Sequence, residues 1–491
     1  MAVATGRAGL RPLVAGGVLL AGATALYLGM ARSLTGAGGL PLDDSWIHQT
    51  LARNLAATGQ MVIVPGDRSA AATAPLWSLL LAVAYWLGLP PLEWAIGLGV
   101  VCLAASAWLV YRFGMVLTSD RGVAMTAALL CLAEWRLLWA AMSGMDTLLF
   151  TVLSLAVLAE AATRDARRPW LLGGLVGLSA AARPEGLALA VLLAVWLVMR
   201  RAVSVRQAGA LMAAAVVPLA LVALLNLSQH GNPLPATFFA KNAAYAGGLD
   251  PGRTLSFLWE ALLVLVRGPE LLLVPGLVLF IAGWVRSRSG PGALCVLWMG
   301  GLTAAYALWL PALYHHGRYL FPLLPLALLL GVAGSRRLLD RLQLPRLALA
   351  GKLLLVLYAA YSGVRGAQAY AENVDLINRQ QVWSARWVVE STPPGTVIAA
   401  HDIGALGYFG GRPLVDMAGL ATPDLVSGPR DVAEVLRVVQ ARGARYALAI
   451  PDWYPPLYAG LTAGLHAREV AVAVVSPAVP DGQRLRILAV P

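Results

Sequence analysis

Apolar stretches of about 20 residues recur along the chain, and each matches the roughly 30 Å hydrocarbon core of a bilayer. One globular core cannot bury so many of them, so the main solvent of this chain is lipid. Composition agrees: of 491 residues, 59% are hydrophobic and 13% charged, against about 45–50% and about 25% in an ordinary soluble domain. Mean hydropathy is +0.71, and a soluble enzyme is excluded. The runs lie near 12–30, 94–111, 122–142, 147–162, 170–182, 187–199, 208–227, 271–285, 292–311, 319–333 and 347–361, which predicts about eleven spans. The first follows Arg7 and Arg11; it is longer than a signal-peptide core of about 7–15 residues and reads as an uncleaved span. Cys102, Cys131 and Cys295 each sit within an apolar run and read as small hydrophobes, with no disulfide or zinc spacing.

The formal charge of +12 comes from 37 Lys plus Arg against 25 Asp plus Glu. Its placement decides what it means. Arg112/Arg121, Arg164/Arg167/Arg168, Arg200/Arg201/Arg206, Arg286/Arg288 and Arg336/Arg337/Arg341/Arg346 fall in every second connection, and the positive-inside rule makes those loops cytoplasmic. The excess therefore encodes orientation, not nucleic-acid binding. The N-terminus is expected in the cytoplasm and residues 362–491 outside, so the chain divides into a membrane domain, 1–361, and an extracytoplasmic α/β domain, 362–491. In the latter, short strand-like runs at 396–400, 414–416, 446–450, 470–475 and 484–490 flank an amphipathic helix over 431–440. Residues 75–90 and 254–267 read as re-entrant or interface-lying helices. Basic flanks at Arg167/Arg168 and Arg200/Arg201 make 170–199 a hairpin. Each arm of about 13 residues rises only about 20 Å, so the Arg183-Pro184-Glu185 tip lies below the outer surface.

The outward loops collect the reactive side chains. Asp43 and Asp44 begin a segment in which Ile47, Leu51 and Leu55 recur every four residues, a pattern suited to a helix at the membrane interface. The two aspartates either cap that helix or supply a general base for an acceptor hydroxyl, and one can do each. Asp146 follows Ser143-Gly144-Met145; it either caps the next helix or joins the Asp43-Asp44 pair in orienting an acceptor or holding a divalent ion through oxygen ligands. Glu134 and Arg136 lie near the end of a span, two residues apart; at that spacing they do not face each other on a helix, so each needs its own partner. Arg183 and Glu185 form either an ion pair closing the hairpin or part of a substrate cavity. Lys241, and Arg318 beside His315 and His316, either snorkel to lipid headgroups or bind phosphate, for which an arginine fork is well shaped. Outward carboxylates with outward cations suit a lipid-linked phosphate donor and a hydroxyl acceptor.

At this point the sequence resembles the GT-C superfamily of polyprenyl-phosphate-dependent glycosyltransferases, over nearly the whole chain and in order. The similar segments are Asp43-Asp44 with the Trp46 to Leu55 helix, Pro65-Gly66, Thr73 to Trp77, Ser143 to Asp146, Arg183 to Gly186, Gly231 to Pro235 with Lys241, Gly317 to Leu320, Asp402 to Tyr408 and Val415 to Leu420. In pattern it looks closest to bacterial cell-envelope arabinofuranosyltransferases, and more distant from protein mannosyltransferases and the lipid A aminoarabinose transferase. The resemblance implies transfer of one sugar, with inversion, from a polyprenyl phosphate to a glycan, lipid or protein acceptor outside a bacterial inner membrane. It implies Asp43 or Asp44 as base and Asp146 as a second acidic site, which in some members binds a divalent metal; the residues themselves demand no cofactor. Lys241, His315, His316 and Arg318 would bind the donor phosphate, and Arg183, Glu185, Trp46 and Tyr319 would line the substrate cavity. The first loop carries Ser45-Trp46 and Ala70 to Ala72 where relatives often have polar residues, which leaves the acceptor open. A secondary transporter or lipid flippase explains the spans equally, but paired halves and repeated broken helices are missing from the sequence.

Overall fold

The computed structural model describes residues 7–66, 72–164, 168–200, 203–234, 250–264, 266–287, 291–343, 345–425 and 431–491. Each expected apolar run forms helix. Six helices are long and apolar enough to cross a membrane: Val14–Thr35, Pro91–Thr118, Val205–Gln229, Pro291–Trp309, His315–Leu342 and Pro345–Ser391. Two further candidates are bent pairs, Arg121–Ala133 with Trp135–Met142 and Pro251–Val264 with Pro269–Val285. The expected eleven spans thus become six to eight by length and composition among the described residues. The difference is one of length. The runs at 147–162, 170–182 and 187–199 form only short apolar helices, and the 14 and 15 residues of the last two rise about 21–23 Å, short of a 30 Å core. The chain is a multi-pass membrane protein.

The chain packs into two compact units. The first comprises Met1–Met30, Ile96–Ala220 and Leu249–Tyr370; the second Ala31–Ala95, Leu221–Gly248 and Ala371–Pro491. In the first unit the helix Leu324–Leu342 is the buried centre, with Leu324, Leu326 and Leu328 to Leu330 inaccessible or nearly so. It packs on the helices Val274–Ser287 and Arg121–Ala133. A Cβ on Gly334 would lie 1.9 Å from the Gly276 carbonyl oxygen, so the first of these contacts is backbone against backbone, as small residues allow in membrane helices. The hairpin appears as expected, with Pro169–Ala182 and Glu185–Met199 separated by Arg183-Pro184.

The second unit is built on a five-stranded sheet: β1 (Ile398–Ala400), β2 (Leu414–Asp416), β3 (Tyr446–Ala449), β4 (Arg468–Val472) and β5 (Arg486–Ala489). The spatial order is β2-β1-β3-β5-β4. β2, β1 and β3 are parallel, whereas β5 pairs antiparallel with both β3 and β4. Because alternate residues face opposite sides of a strand, Ala399 joins Val415, Ala447 and Leu488 against Val435, Val438 and Val439 of the helix Val432–Ala441. Ile398, Ala400, Leu448 and Ile487 face the other way.

That second face is covered by the chain's first loop. The expected amphipathic helix is α1 as labelled here (Asp43–Thr58), ended by Gly59 in the left-handed region. Its apolar stripe rests on the sheet and not on lipid: Leu51 lies in the core with Ile398, Ala400 and Ile487, and Ile47 and Leu55 pack against it. Asn54 Nδ2 donates to the carbonyls of Val62 and Ile63 at 2.8 and 3.0 Å, folding the following segment beneath the helix so that Met61 and Ile63 enter the same core. An amphipathic stripe satisfies any apolar surface; here protein supplies it. Leu51→Ala is expected to cost about 2–5 kcal/mol through cavity formation, seen as a clear drop in the thermal unfolding midpoint. Val470→Ala, at a side chain 49% exposed, should leave the midpoint nearly unchanged; equal midpoints for both variants would mean that α1 is not part of this core.

Candidate active site

In the second unit the decisive contact belongs to Asp43. The residue before α1, Leu42, makes no side-chain cap, and the Asp43 carboxylate instead receives two backbone N–H donors from the loop after β1: Gly404 to Oδ2 at 2.7 Å and Ala405 to Oδ1 at 2.8 Å. Partial burial raises its pKa well above the ordinary 3.8, and the Asp402 carboxylate adds to this. The two N–H donors pull the other way and lose; Asp44 contributes a smaller push upward. Gly404 is required for the approach, since a Cβ there would stand 2.0 Å from the Asp43 carbonyl oxygen and 2.8 Å from Oδ2. Arg53 fastens the same loop to α1, donating to the carbonyls of Tyr408 at 2.6 Å and Gly407 at 3.0 Å. Trp46, expected in a substrate cavity, is 3% exposed and packs its ring on Tyr408 and Phe409, with centroids 5.0 and 4.7 Å away.

The first unit gathers a separate set. Arg183 reaches Asp146 Oδ2 at 3.4 Å and Glu185 Oε1 at 3.0 Å, so the hairpin tip carries the ion pair that one reading of Arg183 and Glu185 expected. Tyr306 donates its hydroxyl to Glu185. Its ring stacks on Tyr319 at 5.0 Å and 16°. The guanidiniums of Arg183 and Arg318 lie 5.6 and 5.4 Å from the Tyr319 ring centroid, which brings Asp146, Arg183, Glu185, Arg318 and Tyr319 into one neighbourhood. Asp146 faces a guanidinium, and a divalent cation fits poorly beside one. Among the described residues no group of three His, Cys, Asp or Glu side chains is placed to hold a metal.

His315, His316 and Gly317 have φ of 46°, 64° and 83°, three successive left-handed residues of which two carry side chains. For the two histidines such backbone costs about 1–3 kcal/mol each and is kept where surrounding structure enforces it. Here the enforcing elements are visible: the His316 ring meets Trp135 and Trp139 edge-on at 5.3 and 5.5 Å, and a Cβ on Gly317 would fall 2.6 Å from Val264 Cγ2. Trp135 and Val264 stand at the breaks of the two bent pairs. Glu134 interrupts the first with a ψ of 119° and accepts from Leu137 N at 2.7 Å. Contrary to the expectation that Glu134 and Arg136 need separate partners, Arg136 Nε pairs with Glu134 Oε1 at 2.8 Å, because the break removes the helical spacing that would hold them apart. Arg136 also binds Glu270 Oε2 at 2.9 Å and donates to the Val264 carbonyl. Lys241 lies outside the described residues.

Several solved structures match most of this chain, two of them as follows. The oligosaccharyltransferase of Archaeoglobus fulgidus, in complex with Zn and sulfate, is 14% identical and matches 90% of this chain and 69% of that one, with a TM-score of 0.59. ArnT from Cupriavidus metallidurans, in its apo state, is 16% identical and matches 96% of this chain and 97% of that one, with a TM-score of 0.58. The chain has the GT-C fold. A mycobacterial arabinofuranosyltransferase, AftD, matches 96% of this chain and 41% of its own at 17% identity, but its TM-score of 0.43 is too low to argue from. Residues 370–480 match a domain of unknown function, DUF8728. No curated protein matches the sequence.

Sequence reasoning names Asp402 only as the start of a similar segment and gives it no role toward Asp43, and it does not single out Glu270, which completes the Arg136 pairing. A carboxylate just after the predicted strand 396–400 is the available signal for the first; Glu270 offers none beyond being a charge beside an apolar run. Arg136→Met is expected to cost about 3–5 kcal/mol, since it leaves two buried carboxylates without their cation. A second change, Glu270→Gln, should restore part of the lost unfolding midpoint; no loss in Arg136→Met would show that the cluster does not hold the breaks. Gly404→Ala is expected to lower the thermal unfolding midpoint by forcing Asp43 away from the loop after β1, and an unchanged midpoint would mean that the close approach is not needed.

Proposed function

We propose that this protein transfers a single sugar from a polyprenyl phosphate to a hydroxyl of a cell-envelope glycan, lipid or protein acceptor, with Asp43 as general base. The observation that carries the proposal is the Asp43 carboxylate, fixed by two N–H donors and raised in basicity by burial and Asp402. A base is most effective when its pKa approaches the working pH. Support for the donor comes from relatives in fold: ArnT has been solved bound to undecaprenyl phosphate, and the archaeal oligosaccharyltransferase with a dolichol-phosphate.

In the proposed step the acceptor oxygen attacks the anomeric carbon as Asp43 takes its proton. The bond between that carbon and the phosphate oxygen breaks, its electron pair leaves with the phosphate, and the anomeric configuration inverts. Arg318, His316, His315 and Lys241 are assigned to the donor phosphate, where a cation stabilises charge as it develops. Arg183, held by Asp146 and Glu185, and Tyr319 are assigned to positioning Arg318. Asp44 is assigned to shaping the field at Asp43. The residues over 362–491 are assigned to the outer side of a bacterial inner membrane, with the N-terminus in the cytoplasm, following the arginine-rich loops.

Asp43→Asn should lower transfer by about 10²–10⁴-fold in protein that inserts normally; full activity would end the general-base assignment. Activity requires the ionised carboxylate and therefore falls as pH drops through the raised pKa of Asp43. Asp402→Asn removes one of the causes of that elevation, so the acid limb of the kcat/KM profile should move to lower pH, and a fixed limb would remove Asp402 from the base's environment. Arg318→Ala should raise the KM for the lipid donor more than that for the acceptor, and equal effects on both would count against a phosphate role.

A further inference from the structure

In an α/β sheet, ligands collect beyond the carboxyl ends of parallel strands, where the strand order reverses. Here β1 has β2 on one side and β3 on the other, so the reversal lies between β1 and β3. A shallow crevice, open to solvent, occupies that place, lined by His401 and Asp402 after β1 and by Trp453, Tyr454 and Tyr458 after β3. Trp453 and Tyr454 are 53% and 36% exposed, a large aromatic surface for a small domain to leave open to solvent. The His401 ring stands edge-on to Trp453, 6.2 Å between centroids. Gln381 Nε2 donates to Asp402 Oδ2 at 2.8 Å, while His401 Nδ1 lies 3.6 Å from Oδ1, so the carboxylate is fixed in place.

This lining defines the ligand. Aromatic faces carry partial negative charge and receive the C–H groups on the apolar face of a sugar ring, while a carboxylate and an imidazole exchange hydrogen bonds with hydroxyls. Among the described residues lining the crevice there is no lysine or arginine, and an anionic ligand is disfavoured. The loop that carries His401 and Asp402 also carries Gly404 and Ala405, whose N–H groups hold Asp43. One short segment thus joins the crevice to the candidate base.

We propose that the crevice beyond β1 and β3 is a saccharide subsite that holds a sugar residue of the acceptor while its neighbour's hydroxyl is presented to Asp43. The proposal rests on the reading of Asp43 as base, and it narrows the acceptor to a glycan or a glycan-bearing molecule. Asp402 then serves two ends, binding a hydroxyl and raising the basicity of Asp43.

The test uses the full chain in lipid nanodiscs and saturation-transfer NMR with neutral linear tetrasaccharides of glucose, xylose and arabinose, and with choline as a cationic probe. At least one tetrasaccharide should bind, and Trp453→Ala and Tyr454→Ala should each weaken that binding at least tenfold with the unfolding midpoint unchanged. Absence of saccharide binding, binding of choline alone, or wild-type affinity in both variants would overturn the subsite. The Asp43→Asn variant separates the two ideas: it should bind saccharide while failing to transfer. Saccharide binding with full transfer in that variant leaves the subsite standing and removes the base; loss of transfer without saccharide binding in the wild type does the reverse.

Discussion

Inside hydrocarbon no water is available to pair a backbone amide, so a helix that breaks there must have its freed groups answered by protein. The two bent pairs of the first unit meet that demand with charge. Glu134 caps the restart of its own helix through Leu137 N, and Arg136 answers the terminal carbonyl of Pro251–Val264 while binding Glu134 and Glu270. Glu134 and Arg136 are 0% exposed, a placement that is unfavourable unless such groups are fully paired. The breaks in turn place Trp135 and Val264 against His316 and Gly317. A left-handed backbone that an isolated peptide would avoid is thereby imposed on the segment carrying the candidate phosphate ligands.

The second unit solves a different problem with neutral donors. A carboxylate that accepts two N–H groups is ordinarily a weak base, because hydrogen bonds favour its ionised form. At Asp43, partial burial and a neighbouring negative charge outweigh them. The result is a group held in one orientation whose proton affinity is still high. Asp416 at the end of β2 shows a comparable balance: buried and raised, it accepts from Ala418 and Ala421 and organises a turn.

Periodicity makes much of this legible. The helix at 431–440 and the five strands appear within a few residues of their expected positions, because the alternation of apolar residues has a direct geometric meaning. The hairpin is visible from a proline between charges and from basic flanks. What stays hidden depends on contacts distant in sequence or on departures from regular geometry. Asp43 meets Gly404 across 361 positions, and no local pattern announces that. Rules for helical spacing mislead at Glu134 and Arg136 because they assume the helix continues. Hydropathy alone counts an apolar run as a span whatever the length of its helix, since it measures preference for lipid and not distance across it. The same preference directs the α1 stripe to lipid when a sheet is there to take it.

The second unit is assembled from both ends of the chain: its core includes Leu51 and Ile63 from the first loop and Ile398, Leu448 and Ile487 from the last stretch. During synthesis the early residues emerge long before their partners exist, at about 5–20 residues per second. Until the sheet arrives, the apolar stripe of α1 is without its cover and has the nearby bilayer as its natural refuge. Maturation then becomes a transfer of that stripe from lipid to protein, and a ribosome that stops early leaves behind a chain in which Asp43 has no Gly404 and Ala405 to hold it.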